Sequence, residues 1–223
     1  MAAEGHSTVQ ILDQYFPGAV AADEATGRAW QRFSGQGFQL ESLEPADAGY
    51  LPELSRARGE ASVRSGLNAS APFTVRAFAS TPAFRAATLA PGWVAAFTQG
   101  NWIATQPLGT LAARHLLDKT LRHEFLHALV EGQAGTNAPL WLREGLVEVW
   151  AADTSREATP PPLSCNAVDA ALADSSSEEE SARAHYAAGW CAARLLQIYG
   201  RQQTLDWLRS GIPAGIGGSL GQR

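Results

Sequence analysis

The chain is poor in basic charge, in sulfur and in long apolar runs, and each shortage narrows what it can do. Seventeen Lys and Arg stand against 22 Asp and Glu, a formal net charge of −5. No basic cluster occurs, so the electrostatic footprint of a nucleic-acid binder is missing. No stretch is long and apolar enough to read as a membrane span. The first twenty residues hold neither Lys nor Arg nor an apolar run, so no signal peptide is read there. Only two cysteines occur, Cys165 and Cys191. They are not in a C-x-x-C arrangement and are not assigned to a metal. They flank an acidic segment that a disulfide could staple to the helix that follows. Cysteines pair in exported proteins and stay reduced in cytosolic ones, so the localisation reading leans to an extracytoplasmic (periplasmic or secreted) bacterial protein. No internal repeat is found.

What is present suits one domain, with or without a loosely attached N-terminal portion: 223 residues, 45% hydrophobic, with seven Trp. Between Thr110 and Glu131 there is neither Pro nor Gly. Leu116, Leu117, Leu121, Phe125, Leu126, Leu129 and Val130 supply apolar positions through that stretch, and Gly132 suits a helix C-terminus. A long, largely buried helix is expected there, and it carries His123-Glu124-Phe125-Leu126-His127.

This is an H-E-x-x-H box. Residues i and i+4 share a helix face, so His123 and His127 can aim both imidazoles at one ion. Zinc accepts neutral imidazole nitrogen and carboxylate oxygen, and a catalytic site keeps three protein ligands and one open position. Glu124 cannot easily reach the same coordination point but can reach a water there. A metal lowers the pKa of that water to about 7, and a carboxylate can then act as general base. Downstream runs Pro139-Leu140-Trp141-Leu142-Arg143-Glu144-Gly145-Leu146-Val147-Glu148. Its apolar residues predict a second, mostly buried helix, where a carboxylate needs a partner or a metal. Glu144 is the candidate third ligand. Glu148, one turn on, is placed to accept from the far nitrogen of a ligating histidine, His123 by preference. His115 and His6 read as structural or surface residues.

Together, His123-Glu-x-x-His127 and the later W-L-x-E-G resemble the gluzincin metallopeptidases, the thermolysin-like superfamily. The segment P-x-W-L-x-E-G-x-x-E is closer still to bacterial peptidase MA-like domains. The resemblance is strong from Leu121 to Trp150 and weaker from Phe73 to Gly200. It implies Zn2+ held by His123, His127 and Glu144, with Glu124 as general base and Glu148 behind the ligands. It further implies an α+β fold, in which a small, mostly antiparallel sheet precedes a helical lobe carrying the box helix and the third-ligand helix. The segment Tyr186-Ala-Ala-Gly-Trp190 is similar to a helix opening of the family that returns towards the zinc. It makes Tyr186, or alternatively His185, the donor for an oxyanion. No G-x-M-E-N-type exopeptidase signature precedes the box.

Around this core the chain divides into a helical or irregular segment at 1–70, a zincin-like domain at 71–210 and a flexible Gly-rich tail at 211–223. Pro52 to Gly66 predicts an amphipathic helix with Leu54, Ala57, Ala61 and Val63 inward. Phe73 to Ala79 predicts a strand, and Thr81 to Ala87 a short helix. Trp93–Thr98 and Trp102–Gln106 predict a hairpin; the resemblance to gluzincins implies that an edge strand of the sheet takes an extended peptide, and Asn101 to Gln106 is the candidate for it. Asp153 to Ser164 reads as a proline-rich loop and Asp174 to Ser181 as an acidic loop or helix start. A helix is expected from Ser181 to Tyr199, ended by Gly200, and a last one from Gln203 to Arg209. The expected activity is hydrolysis of peptide (amide) bonds in a peptide or protein, cell-wall peptide included, with no nucleic acid and no membrane span. The competing expectation is a non-catalytic peptide- or wall-binding module on the same scaffold.

Overall fold

The structure is a computed structural model that describes residues 29–152, 161 and 163–220. His6, the first twenty-eight residues and most of the expected proline-rich loop lie outside these. Two compact units result, Met1–Glu60 with Ala69–Ala128, and Ala61–Asn68 with Leu129–Arg223. All five strands belong to the first unit, together with the helices between them, while the described part of the second is helical, so the fold is α+β.

In the first unit five strands form one sheet in the order β1-β2-β3-β5-β4: β1 Gln31–Gly35, β2 Phe38–Ser42, β3 Phe73–Ala77, β4 Ala96–Gln99 and β5 Trp102–Thr105. The two outer pairs are antiparallel and the two inner pairs, β2/β3 and β3/β5, are parallel. Two expectations are corrected here. Residues 31–42 are not helical or irregular: they add two strands beside β3, so the boundary at residue 70 cuts a sheet. And the hairpin strand at 102–105 is internal, held by β3 on one side and β4 on the other. Of the two hairpin strands it is β4 that lies at an edge of the sheet among the described residues, β1 forming the opposite edge.

Helix α1 covers Leu51–Ser65, after a 3-10 turn at Pro45–Tyr50. Leu54, Ala57 and Ala61 are fully buried as the pattern requires, but Val63 is 84% exposed. Helix α2, Thr81–Thr88, begins where the Ser80 hydroxyl accepts from the Ala83 N–H at 3.2 Å, with Pro82 in the first turn. The expected uninterrupted helix from Thr110 is two helices, α3 Leu108–Ala113 and α4 Leu117–Glu131. The break is at His115, which takes a left-handed φ of 56° and is exposed. Neither glycine nor proline marks it, which is why the sequence hides it.

Phe125, inside the box on α4, anchors it to the sheet. Its ring lies 6.0 Å from that of Phe38 and 5.6 Å from that of Phe73, and those two are register partners on β2 and β3. All three are buried. Aromatic pairs at such distances add about 0.5–1.5 kcal/mol each to burial. One β2/β3 register position thus fixes the rotation of the helix that carries both histidines.

The second unit is built on α5 Leu140–Ala151, α6 Cys165–Ala173 and α7 Glu178–Ser210. Gly200, at φ 76°, kinks α7 between the two expected helices. The buried face of α7 is made of small residues, Ala184, Ala187, Ala188, Cys191 and Ala192, with Leu195. That lets α5 come close: a Cβ on Gly145 would lie 2.2 Å from the Ala188 carbonyl oxygen. Cys165 and Cys191 form a disulfide between α6 and α7. The Asp169 carboxylate of α6 accepts from the Trp141 N–H at 2.6 Å, filling the N-terminal turn of α5, where Pro139 offers no side-chain cap. Ile216–Ser219 forms a short helix, α8, with Gly217 and Leu220 buried. None of the described helices is long and apolar enough to cross a membrane.

Candidate functional site

The box lies on α4 of the first unit. The Nε2 atoms of His123 and His127 stand 3.0 Å apart, with ring centroids at 4.7 Å. Neutral imidazole has one donor and one acceptor nitrogen, and two lone pairs facing at this distance repel. Either one Nε2 carries a proton, or both lone pairs turn to a shared cation. Tetrahedral ligation at a Zn–N distance of 2.0–2.1 Å separates two nitrogens by about 3.3 Å. The pair is within a few tenths of an ångström of that spacing.

Glu124, between them in sequence, is 93% buried by its 7% exposure. One oxygen, Oε2, accepts from the Thr98 hydroxyl at 2.6 Å, and the same hydroxyl lies 3.3 Å from the Glu124 carbonyl oxygen. Thr98 belongs to the edge strand β4. Sequence reasoning missed it: alternation along β4 can place its side chain on one face, but nothing in the chain pairs residue 98 with residue 124. The residue before the box, Arg122, is also buried and pairs with Glu60 at 3.1 Å and Asp118 at 3.6 Å. The Glu60 pair ties α4 to α1, while the Asp118 pair lies within α4.

The remaining candidates lie in the second unit. Glu144 on α5 is largely buried, its side chain 17% exposed, and its Oε2 is 3.4 Å from Nε2 of His185 on α7. The other ring nitrogen of His185, Nδ1, donates to the Ser181 carbonyl at 2.8 Å. At 3.4 Å the Glu144 contact is an ion pair more than a short hydrogen bond. The carboxylate still dominates, and it pushes the His185 pKa up from 6.5 to about 9 against the opposing effect of burial. Glu148, one turn along α5, packs its side chain where α7 has Gly189 and adds to the field at His185. Of the two candidate donors, His185 is therefore the one at Glu144. Tyr186 lines an open groove with Leu163, Ala171, Ala182 and Ala187 and is 37% exposed.

Among the described residues no group of three or more His, Cys, Asp or Glu side chains stands gathered to hold a metal ion. What the chain offers is a convergent imidazole pair with a buried carboxylate on one helix, and a carboxylate–imidazole pair on two others. No protein-family model matches the chain, and no curated protein sequence matches it significantly.

Proposed function

We propose that the chain is a zinc-dependent hydrolase of peptide (amide) bonds. The observation that carries the reading is the His123–His127 pair, with two Nε2 atoms 3.0 Å apart beside the buried carboxylate of Glu124. His123 and His127 would hold the ion, with Glu144 as the third ligand that the resemblance to gluzincins implies. When bound, zinc would polarise the substrate carbonyl and make a water acidic near neutral pH.

The chain's own groups supply the rest. Glu124 takes the proton of the attacking water and returns it to the leaving amine. Its orientation is fixed from the edge strand by Thr98. In its protonated form, which the Glu144 carboxylate favours, His185 keeps Nδ1–H on the Ser181 carbonyl and can donate from Nε2 to the developing oxyanion. Glu148 supports α5 and α7 beside that pair. The edge of β4 takes the substrate as an added strand. The substrate is an extended peptide segment, of a protein or of cell wall.

The test combines metal content with turnover. Elemental mass spectrometry of the purified chain should find one zinc, lost in His123→Ala. Glu124→Gln should keep the zinc and lose at least about a hundredfold in rate on unfolded protein or wall peptides. Full activity of Glu124→Gln refutes this mechanism. Peptide binding without products, in a parent that holds zinc, refutes the hydrolase and leaves the binding module.

A further inference from the structure

We infer that Thr98 is a positioning residue, whose hydroxyl holds the carboxylate of Glu124 and whose main chain receives the substrate strand, so that one residue joins docking to the base. The inference rests on the reading of Glu124 as general base.

Two observations meet at Thr98. The first is its hydroxyl, 2.6 Å from Oε2 of Glu124, the ordinary length for O–H donating to a carboxylate oxygen. A buried carboxylate otherwise has several rotamers, and this bond selects one. The second observation is register. β4 pairs with β5 so that Thr98 stands opposite Ile103 and Phe97 opposite Ala104, while the Gln106 N–H donates to the Ala95 carbonyl. In an antiparallel pair the bonded residues alternate. Ala95, Phe97 and Gln99 therefore face β5, and the N–H and C=O of Ala96 and Thr98 face the outer edge. Because β4 ends the sheet, that edge is where an extended chain would pair. A strand paired there would bond to the main chain of the very residue that orients Glu124.

The geometry separates Thr98 from a merely structural threonine. Its hydroxyl closes no helix cap and bridges no strands; its partners are the side chain and carbonyl of Glu124 alone among the contacts of that hydroxyl. Valine has the same shape and the same strand preference but no donor. Serine keeps the donor and loses a methyl.

The experiment compares Thr98→Val and Thr98→Ser with the parent, each with and without zinc. Crystal structures of the metal-free proteins report the Glu124 side chain. It should keep its place in Thr98→Ser and leave it in Thr98→Val. Zinc content should be unchanged in both. Turnover of an unfolded-protein substrate should fall about a hundredfold in kcat for Thr98→Val, as for a catalytic group misplaced by about 1 Å, with KM within about twofold. Thr98→Ser should recover to within about threefold of the parent. Unchanged kcat in Thr98→Val, or a Glu124 carboxylate that stays in place without the hydroxyl, overturns the inference. Absence of turnover in the zinc-loaded parent would count against the hydrolase instead, and the Glu124 position in Thr98→Val would still decide the role of Thr98.

Discussion

Replacing Gly145 by alanine tests the packing that presents Glu144. A Cβ at 145 would lie 2.2 Å from the Ala188 carbonyl oxygen, 2.7 Å from its carbon and 2.8 Å from the Ala192 Cβ, where ordinary contact begins at 3.4 Å. Two of those atoms are backbone, so no rotamer change relieves the clash. α5 and α7 must separate by roughly 1 Å, and such overpacking costs about 1–3 kcal/mol. Here the rigid backbone puts it at the upper end. Alanine in a helix interior recovers about 1 kcal/mol over glycine. The net is about 2 kcal/mol of destabilisation, or a fall of about 4–8 °C in Tm for a chain of this size. Gly59→Ala is the control. It sits exposed inside α1 with nothing near its would-be Cβ, and should stabilise by up to about 1 kcal/mol. Urea and thermal unfolding by circular dichroism read both. A Gly145→Ala protein as stable as the parent would refute the close approach of the two helices and, with it, the reason a glycine follows Glu144.

Two further outcomes follow from contacts within single units. The Cys165–Cys191 bridge closes a separation of 26 residues, worth about 3.5 kcal/mol in restricted unfolded chain. The double Cys→Ser variant should lose that much in urea unfolding, and an unchanged midpoint would contradict it. The Arg122 guanidinium holds the Glu60 carboxyl below its ordinary value of 4.5. A lowered folded value contributes stability that is present above pH 4.5 and lost as pH falls through the folded value. Glu60 is one-third exposed, so screening limits the effect to about 1 kcal/mol at pH 7. Glu60→Gln should remove it and flatten the acid limb of the unfolding profile. A parallel acid limb in parent and variant would exclude this pair as its source.

The sequence made helices legible wherever a three-to-four residue apolar repeat met a clear stop. Gly132 closes α4 and Gly200 kinks α7 where glycine stands in the chain. The break at His115 was hidden, because a left-handed residue there is imposed by packing and not by composition. Strands β1 and β2 were missed for a related reason. Gln31–Gly35 alternates weakly, and its partner supplies the apolar residues that matter. The edge was misplaced because sequence order suggests hairpin neighbours but not which strand of the hairpin the parallel strand β3 selects. The histidine pair was more legible than the topology. The spacing of His123 and His127 on one helix is local, and so survives to the structure as a 3.0 Å pair. The choice between Tyr186 and His185 was not legible. Adjacent helix positions differ by about 100° in direction, and only tertiary contact says which of the two meets α5.

The length of β4 limits what the edge can contribute, and that limit yields a prediction about substrates. Ala96 and Thr98 each turn one N–H and one C=O outward, so an added strand gains at most four main-chain hydrogen bonds. At about 0.5–1.5 kcal/mol net each, the edge supplies about 2–6 kcal/mol. Association itself costs about 4 kcal/mol or more. Backbone docking alone therefore leaves at best about −2 kcal/mol, short of the roughly −4 kcal/mol that millimolar affinity requires. If the chain is the peptide hydrolase proposed above, a good substrate must add side-chain contacts, and a short featureless peptide should show a high KM with an ordinary kcat. N-methylating the substrate amide that donates to Ala96 or Thr98 removes one of the four bonds. It should raise KM about tenfold, the equivalent of about 1.4 kcal/mol, while kcat stays within about twofold. The amides between should tolerate methylation. Steady-state kinetics on a set of singly methylated peptides reads the pattern directly. An alternating rise in KM supports strand addition on β4; uniform tolerance along the peptide would mean that the substrate does not pair with this edge.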